Sequence, residues 1–584
     1  METLYDRPIA GRRVRVLASP AGSGAAAARA ETGRWTLRLG RCAAPPAEAE
    51  EDAEPTLVID EAREQARFFV PFSATGQLFQ ARRGEALCFA TDPRLLARPG
   101  ATLDPRAILC LLEFGALTPP LSLWREVRRL APGRWTIVSL ADLAQETRLV
   151  DPWSPAPEPD LARLDADSWE ALVAARLDAA LRESCPAGRP AILFSGGVDS
   201  GLLAARAAAF GWGDTLLANY SRGPDDPEAA LAAAMAARLG LRCVALADDP
   251  ADWAEPIRGL AAHYPQPLGD YSMIPTLLLH RRVEELAGSG AVVWDGSGAD
   301  GVFGDFLKLA RWRRLYRWPA AARRLAGWAY RAGSFWGADR ALARRLAAAR
   351  ISGETPFLLA SMIAEHPLRG IAYDADPRDL RALHEAFAGA VAEIATLPEP
   401  EAPSRILDLR HIVCDFTAQK DAPLGLGRPV DIAYPFLAPS VVRLGVRAAG
   451  LRREPGESKA VLKRLLARAV PPEMVYRPKS GFMPPIHEAF RAGPVREALA
   501  EAIAPGSPLA PWLRRRPMEV LLRAAGRRRL AHRTYNFLWM VLCAAHWIRR
   551  FDDAGGEAEP AGGPRRAGAP PAGPAGAAPG RRDG

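Results

Sequence analysis

The sequence predicts an α/β protein in two parts: a sheet-rich α+β domain first, then a parallel-sheet α/β domain with a large helical C-terminal part. Short apolar runs of strand type fill residues 56–150. The run DPWSPAPEPD (151–160) carries four prolines and indicates a linker. Strand and helix patterns then alternate from residue 167, which is typical of a parallel sheet covered by helices on both faces.

These patterns divide the 584 residues into two domains and a tail. We expect a first domain over 1–153, a linker over 154–166 and a second domain over 167–553. The last segment, 554–584, consists largely of Gly, Pro and Ala, and it cannot bury enough apolar surface to offset the entropy of ordering. We therefore expect a disordered tail.

The first domain is predicted from strand-like runs around one helix. Aromatic and β-branched residues favour strands over TLVID (56–60), ARFFVPF (66–72), GQLFQAR (76–82), ALCFATD (86–92) and GRWTIVSL (133–140). The run DPRAILCLLEFG (104–115) predicts a helix. The acidic, Pro- and Ala-rich run at 43–55 predicts an exposed loop.

In the second domain an amphipathic helix over 167–185, with an aspartate as its N-cap, precedes the buried strand AILF (191–194). Alternating strands and helices follow at DTLLANYS (214–221), EAALAAAMAARLG (228–240), RCVALAD (242–248), MIPTLLLHRRVEELA (273–287) and AVVWDGSG (291–298). Residues from about 303 to 553 have a mainly helical pattern.

Composition excludes several classes of protein. The seven cysteines are scattered without a CxxC pair, which argues against a zinc site or a disulfide framework and for a reducing compartment. The N-terminus has no apolar signal segment, and no run is long enough to span a bilayer, so we expect a cytoplasmic protein without a membrane partner. The net charge is +9, but the arginines are spread along helical segments, and we do not expect a nucleic-acid partner.

The most informative stretch is FSGGVDSGLLAA (194–205), which stands between a strand and a helix. Two glycines let the backbone approach a ligand, and the start of a helix attracts an anion. Asp199 would repel a phosphate unless a divalent cation lay between them, which indicates Mg²⁺. No lysine follows the glycines, so the loop is not a Walker A motif. The loop is instead suited to bind pyrophosphate as a leaving group.

This stretch resembles the loop of the ATP pyrophosphatases, which adenylate their substrates. A second turn, VVWDGSGADGVFGDF (292–306), is similar to the Gly-x-Gly-x-Asp segment of the asparagine synthetase family. The resemblance implies that Asp300 and Asp199 share the Mg²⁺ ion, and that ATP is the nucleotide. Nucleotide contacts are implied for Phe194, Ser195, Gly196, Gly197, Asp199, Ser200, Gly296, Ser297 and Lys479.

A third segment, MVYRPKSGFMPPI (474–486), resembles the family's R-x-K-x-x-F stretch. The resemblance implies that Lys479 is catalytic together with Asp199, and that it lies with Arg477, Gly481 and Phe482 beside the phosphates. A fixed ammonium would stabilise both the departing pyrophosphate and an oxyanion.

Less specific sequence matches extend the resemblance over roughly 56–553. In HYPQPLGDYSMIP (263–275), Asp270, Ser272 and Pro275 fit the family pattern, whereas Gln266 does not. Residues 406–442 resemble the family's helix-then-PFLD region. The first domain resembles the later half of a class II glutaminase (Ntn-type) domain.

Three departures limit what the resemblance implies. The first cysteine is Cys42, whereas class II glutaminases use an N-terminal one, so we expect no glutamine hydrolysis. Ser297 stands where ammonia-using synthetases have glutamate and β-lactam synthetases have tyrosine, and a serine is a poor general base. Gly301 replaces the acid that usually follows Gly-Ala-Asp.

These features favour an amide synthetase whose nucleophile is an amine of the substrate. That pattern resembles the lasso peptide cyclases, in which a side-chain carboxylate is adenylated and the peptide's own α-amine closes a ring. Partners would be a peptide or small molecule carrying a carboxylate and an amine, and a protease for the precursor peptide. The alternatives are an ammonia-using asparagine synthetase, a β-lactam-synthetase-like enzyme and a tRNA-modifying enzyme. The Arg- and Trp-rich run at 311–330 is either a peptide-binding face or a solvated amphipathic helix.

Overall fold

The computed structural model describes residues 2–9, 12–18, 29–31, 34–38, 55–84, 86–97, 101–149, 160–223, 225–247, 249–288, 291–304, 368–376, 405–406, 408–421, 430–448, 457–477 and 484–556, with short pieces within 318–329 and 378–383. Most of the predicted loop at 43–55, the first six residues of the predicted linker (154–159) and residues 557–584 lie outside these ranges. So does most of the Arg- and Trp-rich run.

The strands are, in chain order, β1 Glu2–Ile9, β2 Arg12–Ala18, β3 Arg29–Glu31, β4 Arg34–Arg38, β5 Thr56–Asp60, β6 Gln65–Val70, β7 Phe79–Arg83, β8 Ala86–Ala90, β9 Val127–Arg129, β10 Arg134–Ser139, β11 Gln145–Leu149, β12 Pro190–Leu193, β13 Leu216–Ser221, β14 Arg242–Ala247, β15 Val292–Trp294 and β16 Asp431–Ala433. They form three sheets, with orders β1-β2-β8-β7-β9, β11-β10-β6-β5-β4-β3 and β14-β13-β12-β15-β16.

The α-helices are α1 Pro105–Phe114, α2 Ala166–Ser184, α3 Val198–Ala209, α4 Pro227–Leu239, α5 Ala254–Arg258, α6 Leu260–His263, α7 Met273–Ala287, α8 Ala299–Phe303, α9 Pro439–Arg447, α10 Ala460–Ala467, α11 Pro472–Val475, α12 Ile486–Arg491, α13 Gly493–Ala502, α14 Arg515–Arg527 and α15 His532–Gly556. A π-helix spans Asp408–Cys414. In the described chain no helix is both long and apolar enough to cross a membrane.

The first two sheets pack face to face and build the core of the N-terminal part. Val14 and Val16 of β2 and Phe89 of β8 meet Leu57 of β5 and Phe68 of β6 in one apolar cluster. The rings of Phe68 and Phe89 are 4.1 Å apart. All pairings are antiparallel except β2 with β8, which is parallel. The strands expected at 56–60, 66–72, 86–92 and 133–140 are therefore present.

The outer face of the first sheet is covered by helices from both ends of the chain. Phe79 and Cys88 of this sheet belong to one cluster with residues of α1 and with Trp539 and Trp547 of α15. The helix predicted over 104–115 is α1, capped by the Asp104 carboxylate, which accepts from the Arg106 backbone N–H. The C-terminal helices thus share a core with the first domain, a layering that the sequence did not reveal.

The third sheet is parallel throughout and carries helices on both faces. Residues of α2, α3, α4 and α10 pack on one face. Residues of α7 pack on the other. The parallel α/β part of the predicted fold class is therefore confirmed. The glutaminase-like nature of the first domain remains a prediction.

Element ends differ from the prediction by a few residues. Helix α2 begins at Ala166, and its N-cap is Asp165, whose carboxylate accepts from the Ser168 backbone N–H, so the expected capping by Asp167 is wrong. Helix α15 continues to Gly556, three residues into the predicted tail. An N-cap acts through a local hydrogen bond to the first turn, and in sequence either Asp165 or Asp167 could have supplied that bond.

A buried ion cluster joins the first domain to the second. The Asp415 carboxylate lies 2.5 Å from the Arg129 guanidinium of β9 and 2.6 Å from that of Arg410. Arg410 also donates to the Phe72 and Ala74 carbonyls. Burial alone would raise the pKa of Asp415, but Arg129 and Arg410 outweigh it and hold this pKa well below its usual range. The carboxylate is therefore ionised and fixes the two domains against each other.

We predict that Asp415→Leu lowers the free energy of unfolding by about 3–5 kcal/mol, because two buried guanidinium groups lose their carboxylate. Urea denaturation followed by circular dichroism measures the loss. The control is Arg163→Met, which removes an exposed ion pair with Asp160 and should leave the unfolding midpoint unchanged. Equal midpoints for the two variants would contradict the structural role given to Asp415.

Candidate functional site

The loop after β12 forms the floor of the candidate site. The Phe194 side chain is buried, and its backbone N–H donates to the Ala218 carbonyl of β13. The Ser195 side chain is exposed, and its Oγ lies 3.2 Å from Ser200 Oγ. The Ser195 backbone N–H also donates to Ser200 Oγ at 3.2 Å. Two hydroxyls are thus gathered at the first turn of α3, where backbone N–H groups point out of the helix.

The first glycine of this loop is required by both conformation and space. Gly196 has φ +67°, and a Cβ there would lie 2.9 Å from Ala232 Cα of α4. Gly197 is the N-cap of α3, and its backbone N–H donates to Ser195 Oγ at 3.3 Å. The loop can therefore turn tightly from strand to helix against α4, as the glycine-rich sequence predicts.

A second turn lies directly beside the first because β15 pairs with β12. Asp295 follows β15, and its Oδ1 accepts from the Ser297 backbone N–H at 2.6 Å. A Cβ on Gly296 would lie 3.1 Å from Asp199 Cβ, so the two turns touch. Gly298, with φ +103°, leads into α8 and its first-turn residue Asp300. Gly296 therefore lies directly beside the loop, and the nucleotide contacts implied for Gly296 and Ser297 remain a prediction.

The two acids that the sequence singled out are joined by one lysine. The Lys459 Nζ lies 2.7 Å from Asp199 Oδ1 and 2.8 Å from Asp199 Oδ2. The same ammonium lies 3.1 Å from Asp300 Oδ1. About a hundred residues separate the acids in sequence, and the sheet brings them to one cation.

The charge of Lys459 is set by these contacts. Burial alone would lower the pKa of its ammonium, but the Asp199 and Asp300 carboxylates outweigh burial and raise this pKa. The side chain is 6% exposed, against 25% for Asp199 and 52% for Asp300. The charged ammonium therefore contacts the two carboxylates from the protein interior, and the carboxylates are more exposed to solvent.

The acid pair suits a divalent cation. Since one ammonium nitrogen contacts both carboxylates, a single ion can be held by Asp199 and Asp300 together. Mg²⁺ is usually bound by one or two carboxylates, with substrate phosphates and water as the remaining ligands. The residues present therefore fit the Mg²⁺ ion that the sequence indicated, next to a helix start suited to phosphates.

Arg477 links the third sequence segment to the loop. One of its nitrogens donates to the Gly196 carbonyl at 3.0 Å, and the other pairs with the Glu228 carboxylate at 3.1 Å. Lys479, the predicted catalytic lysine, lies outside the described residues, as do Gly481 and Phe482. Its contacts with phosphates remain a prediction.

The residues at 263–275 that resemble the family pattern less closely have defined positions in the structure. The Asp270 carboxylate accepts from the Ser272 hydroxyl at 2.6 Å, and Ser272 is the N-cap of α7. Pro275 is buried in the first turn of that helix. Gln266 donates to the Gln77 side chain at 3.1 Å, a contact between the two domains. These hydrogen bonds join the residues to one another and to the first domain, and not to the loop after β12.

Packing explains the missing acid at Gly301. A Cβ there would lie 2.7 Å from Leu409 Cδ2 and 3.0 Å from Leu409 Cγ. Leu409 is fully buried in the π-helix Asp408–Cys414, which packs against α8. Any side chain at this position would therefore have to displace the buried Leu409 side chain, which glycine does not.

Lys459 was missed by sequence reasoning, although its run ESKAVLKRLLARAVPP (457–472) directly precedes the segment that resembles the family's R-x-K-x-x-F stretch. A lysine before an amphipathic helix is most often a solvated residue, and no local pattern separates Lys459 from Lys463. Only the packing of α10 on α3 distinguishes them. A Cβ on Gly201 of α3 would lie 3.1 Å from Leu466 of α10, which shows how close the two helices are.

Known proteins similar to this chain belong to one family. A family model described as asparagine synthase matches residues 172–549. Proteins of Mycobacterium bovis and Mycobacterium tuberculosis with the provisional name of glutamine-hydrolysing asparagine synthetase are 24% identical over 447 residues. The match covers 73% of this chain and only 65% of the length of each relative.

We predict that Gly301→Ala lowers the free energy of unfolding by about 1–3 kcal/mol, because its Cβ would displace Leu409. Thermal denaturation measures the effect. In a Leu409→Ala background the same substitution should cost less, since the obstructing carbons are gone. The control is Gly493→Ala, where open space surrounds the added carbon. A Gly301→Ala variant as stable as this control would refute the packing argument.

Proposed function

Because the chain belongs to the asparagine synthase family, we propose that it forms an amide bond by ATP-dependent adenylation of a carboxylate, releasing AMP and pyrophosphate. The observation that supports this most is the Lys459 ammonium in contact with both Asp199 and Asp300. Two distant acids meet at the carboxyl end of a parallel sheet, beside a helix start, which is where such folds bind nucleotides.

Each residue has a role in the proposal. Ser195, Ser200 and the backbone N–H groups at the start of α3 bind the β- and γ-phosphates. Asp199 and Asp300 hold Mg²⁺, which would neutralise charge on the departing pyrophosphate. Arg477 keeps the loop in place through the Gly196 carbonyl. Lys479 stabilises the pyrophosphate and the oxyanion of the second step.

The chemistry has two steps. A carboxylate oxygen attacks the α-phosphorus of ATP, the bond to the β-phosphate oxygen breaks, and pyrophosphate leaves. An amine nitrogen then attacks the acyl carbon, the bond to AMP breaks, and the amine loses a proton to solvent or to a nearby base. Amide, AMP and pyrophosphate result.

For the substrate we favour a peptide whose own α-amine attacks its adenylated side-chain carboxylate, as in lasso peptide cyclisation. Ser297 supports this choice, because a serine is a poor base for an external amine such as ammonia. An amine held on the same folded substrate needs less help, since placement alone can provide an effective molarity on the order of 10⁵ M or more. A protease that trims the precursor peptide would then be a partner.

The cysteines of the first domain also argue against glutamine as nitrogen source. Cys88 and Cys110 are the cysteines among its described residues, and both are buried. Burial raises the pKa of Cys110 to about 12, so its thiol is not ionised at neutral pH. Cys42 lies outside the described residues. The first domain then supports the second mainly through their interface.

The second candidate is an asparagine synthetase that uses aspartate and ammonia. The provisional name of the mycobacterial relatives agrees with asparagine as the product, but it gives glutamine hydrolysis as the nitrogen source. A β-lactam-synthetase-like small-molecule enzyme would share the same first step, and a tRNA-modifying enzyme is a more distant alternative. These candidates differ in the nucleophile that attacks the adenylated substrate in the second step.

We predict that Asp199→Asn reduces pyrophosphate release by about 10²–10³-fold, because one of the two cation ligands loses its charge. The measurement is release of labelled pyrophosphate from ATP with the substrate that supports turnover. Asp214→Asn is the control, since Asp214 is an exposed residue at the opposite end of β13. Wild-type release by the Asp199 variant would refute the assigned role.

We further predict that the full chain with ATP and Mg²⁺ joins the α-amine of a peptide to a side-chain carboxylate of the same peptide. The probes are short peptides with a free α-amine and one Asp or Glu side chain, and separately aspartate with ammonium. Mass spectrometry should find a peptide product lighter by one water, without a free α-amine. Formation of asparagine from the second mixture, with all peptides unchanged, would favour the asparagine synthetase instead.

A further inference from the structure

Lys459 occupies the position that a metal ion would take between the two acids. Its ammonium contacts Asp199 at 2.7 and 2.8 Å and Asp300 at 3.1 Å. It approaches from the protein interior, where its side chain is 6% exposed. The acids are more open on the other side, so a second cation could approach them from solvent.

The backbone of Lys459 is held by packing. Lys459 precedes α10 with φ +58°, a left-handed conformation that non-glycine residues rarely adopt. Its carbonyl accepts from the Lys463 backbone N–H at 3.0 Å, and α10 is packed on α3. The flexible part is the four-carbon side chain, whose ammonium can turn to another anion while the backbone stays in place.

Charge balance limits how the acids can exchange cations. Two adjacent carboxylates need a positive partner, and the ammonium supplies it. A divalent ion that entered alone would crowd a buried ammonium against a like charge and leave it without an anion, which is unfavourable. Phosphate oxygens arriving with the metal would give that ammonium a new partner.

We propose that Lys459 is the resident counter-ion of Asp199 and Asp300, and that a divalent cation binds this site only together with nucleotide phosphates. The inference rests on the proposed nucleotide site. It adds that Lys459 is a positioning residue, which keeps the acids together before the nucleotide arrives and makes metal binding depend on the nucleotide.

The test is Mn²⁺ binding to the full chain, followed by electron paramagnetic resonance of the free ion. Without nucleotide, Lys459→Met should bind Mn²⁺ at least about tenfold more tightly than the wild type, because a unit positive charge beside the acids is removed. With α,β-methylene ATP, wild-type affinity should rise by at least about tenfold, and that of Lys459→Met should rise less.

Matched variants separate charge from folding. Lys463→Met removes a lysine of the same helix that pairs with Glu457 and should bind Mn²⁺ like the wild type. Adding Asp199→Asn to Lys459→Met should abolish the gain. Circular dichroism verifies the fold, and Lys459→Gln replaces Lys459→Met if the latter does not fold. Mn²⁺ affinity of a folded Lys459 variant no tighter than that of the wild type would overturn the inference.

The outcomes distinguish this inference from the proposed function. Mn²⁺ binding needs no acyl substrate and no turnover. If Mn²⁺ binding follows the prediction but ATP yields no AMP with any substrate, the proposed reaction fails and the role of Lys459 stands. If AMP is formed but Lys459→Met binds Mn²⁺ like the wild type, the reaction stands and the inference fails.

Discussion

The contact of one ammonium with two carboxylates is the interaction on which the site depends. Lys459 directly precedes α10, Asp199 lies in α3 and Asp300 in α8. Three helix starts must therefore be held to within about 3 Å of one point, and only a rigid sheet with tightly packed helices can do this. Glycines mark this close packing: an added Cβ would lie 2.9 Å from its nearest neighbour at Gly196 and 2.7 Å at Gly301.

The same constraint explains the rest of the architecture. Strands β12 and β15 are neighbours in a parallel sheet, so the turns that follow them lie side by side. The π-helix Asp408–Cys414 packs against α8 through Leu409 and reaches the first domain through Arg410 and Asp415. The first domain is therefore coupled to the turn that carries Asp300, although its own cysteines at 88 and 110 are buried.

Sequence reasoning was strongest where the signal is local. The strand–turn–helix around Asp199 and the turn before Asp300 each have a pattern within about ten residues, and the structure has them as expected. It was weakest where distant helices meet. No sequence pattern distinguishes Lys459 from Lys463. Likewise, no pattern in α15 or in the strands of the first sheet indicates that they share a hydrophobic core. The reason for Gly301 required the position of Leu409.

The central claim is that a carboxylate displaces pyrophosphate at the α-phosphorus in this site. The most direct measurement uses a substrate whose carboxylate carries oxygen-18, incubated with ATP, Mg²⁺ and the full chain. One labelled oxygen should appear in AMP, because the acyl-adenylate leaves that oxygen on phosphorus when the amine attacks. Label in inorganic phosphate, with ADP as the nucleotide product, would show attack at the γ-phosphorus and contradict it.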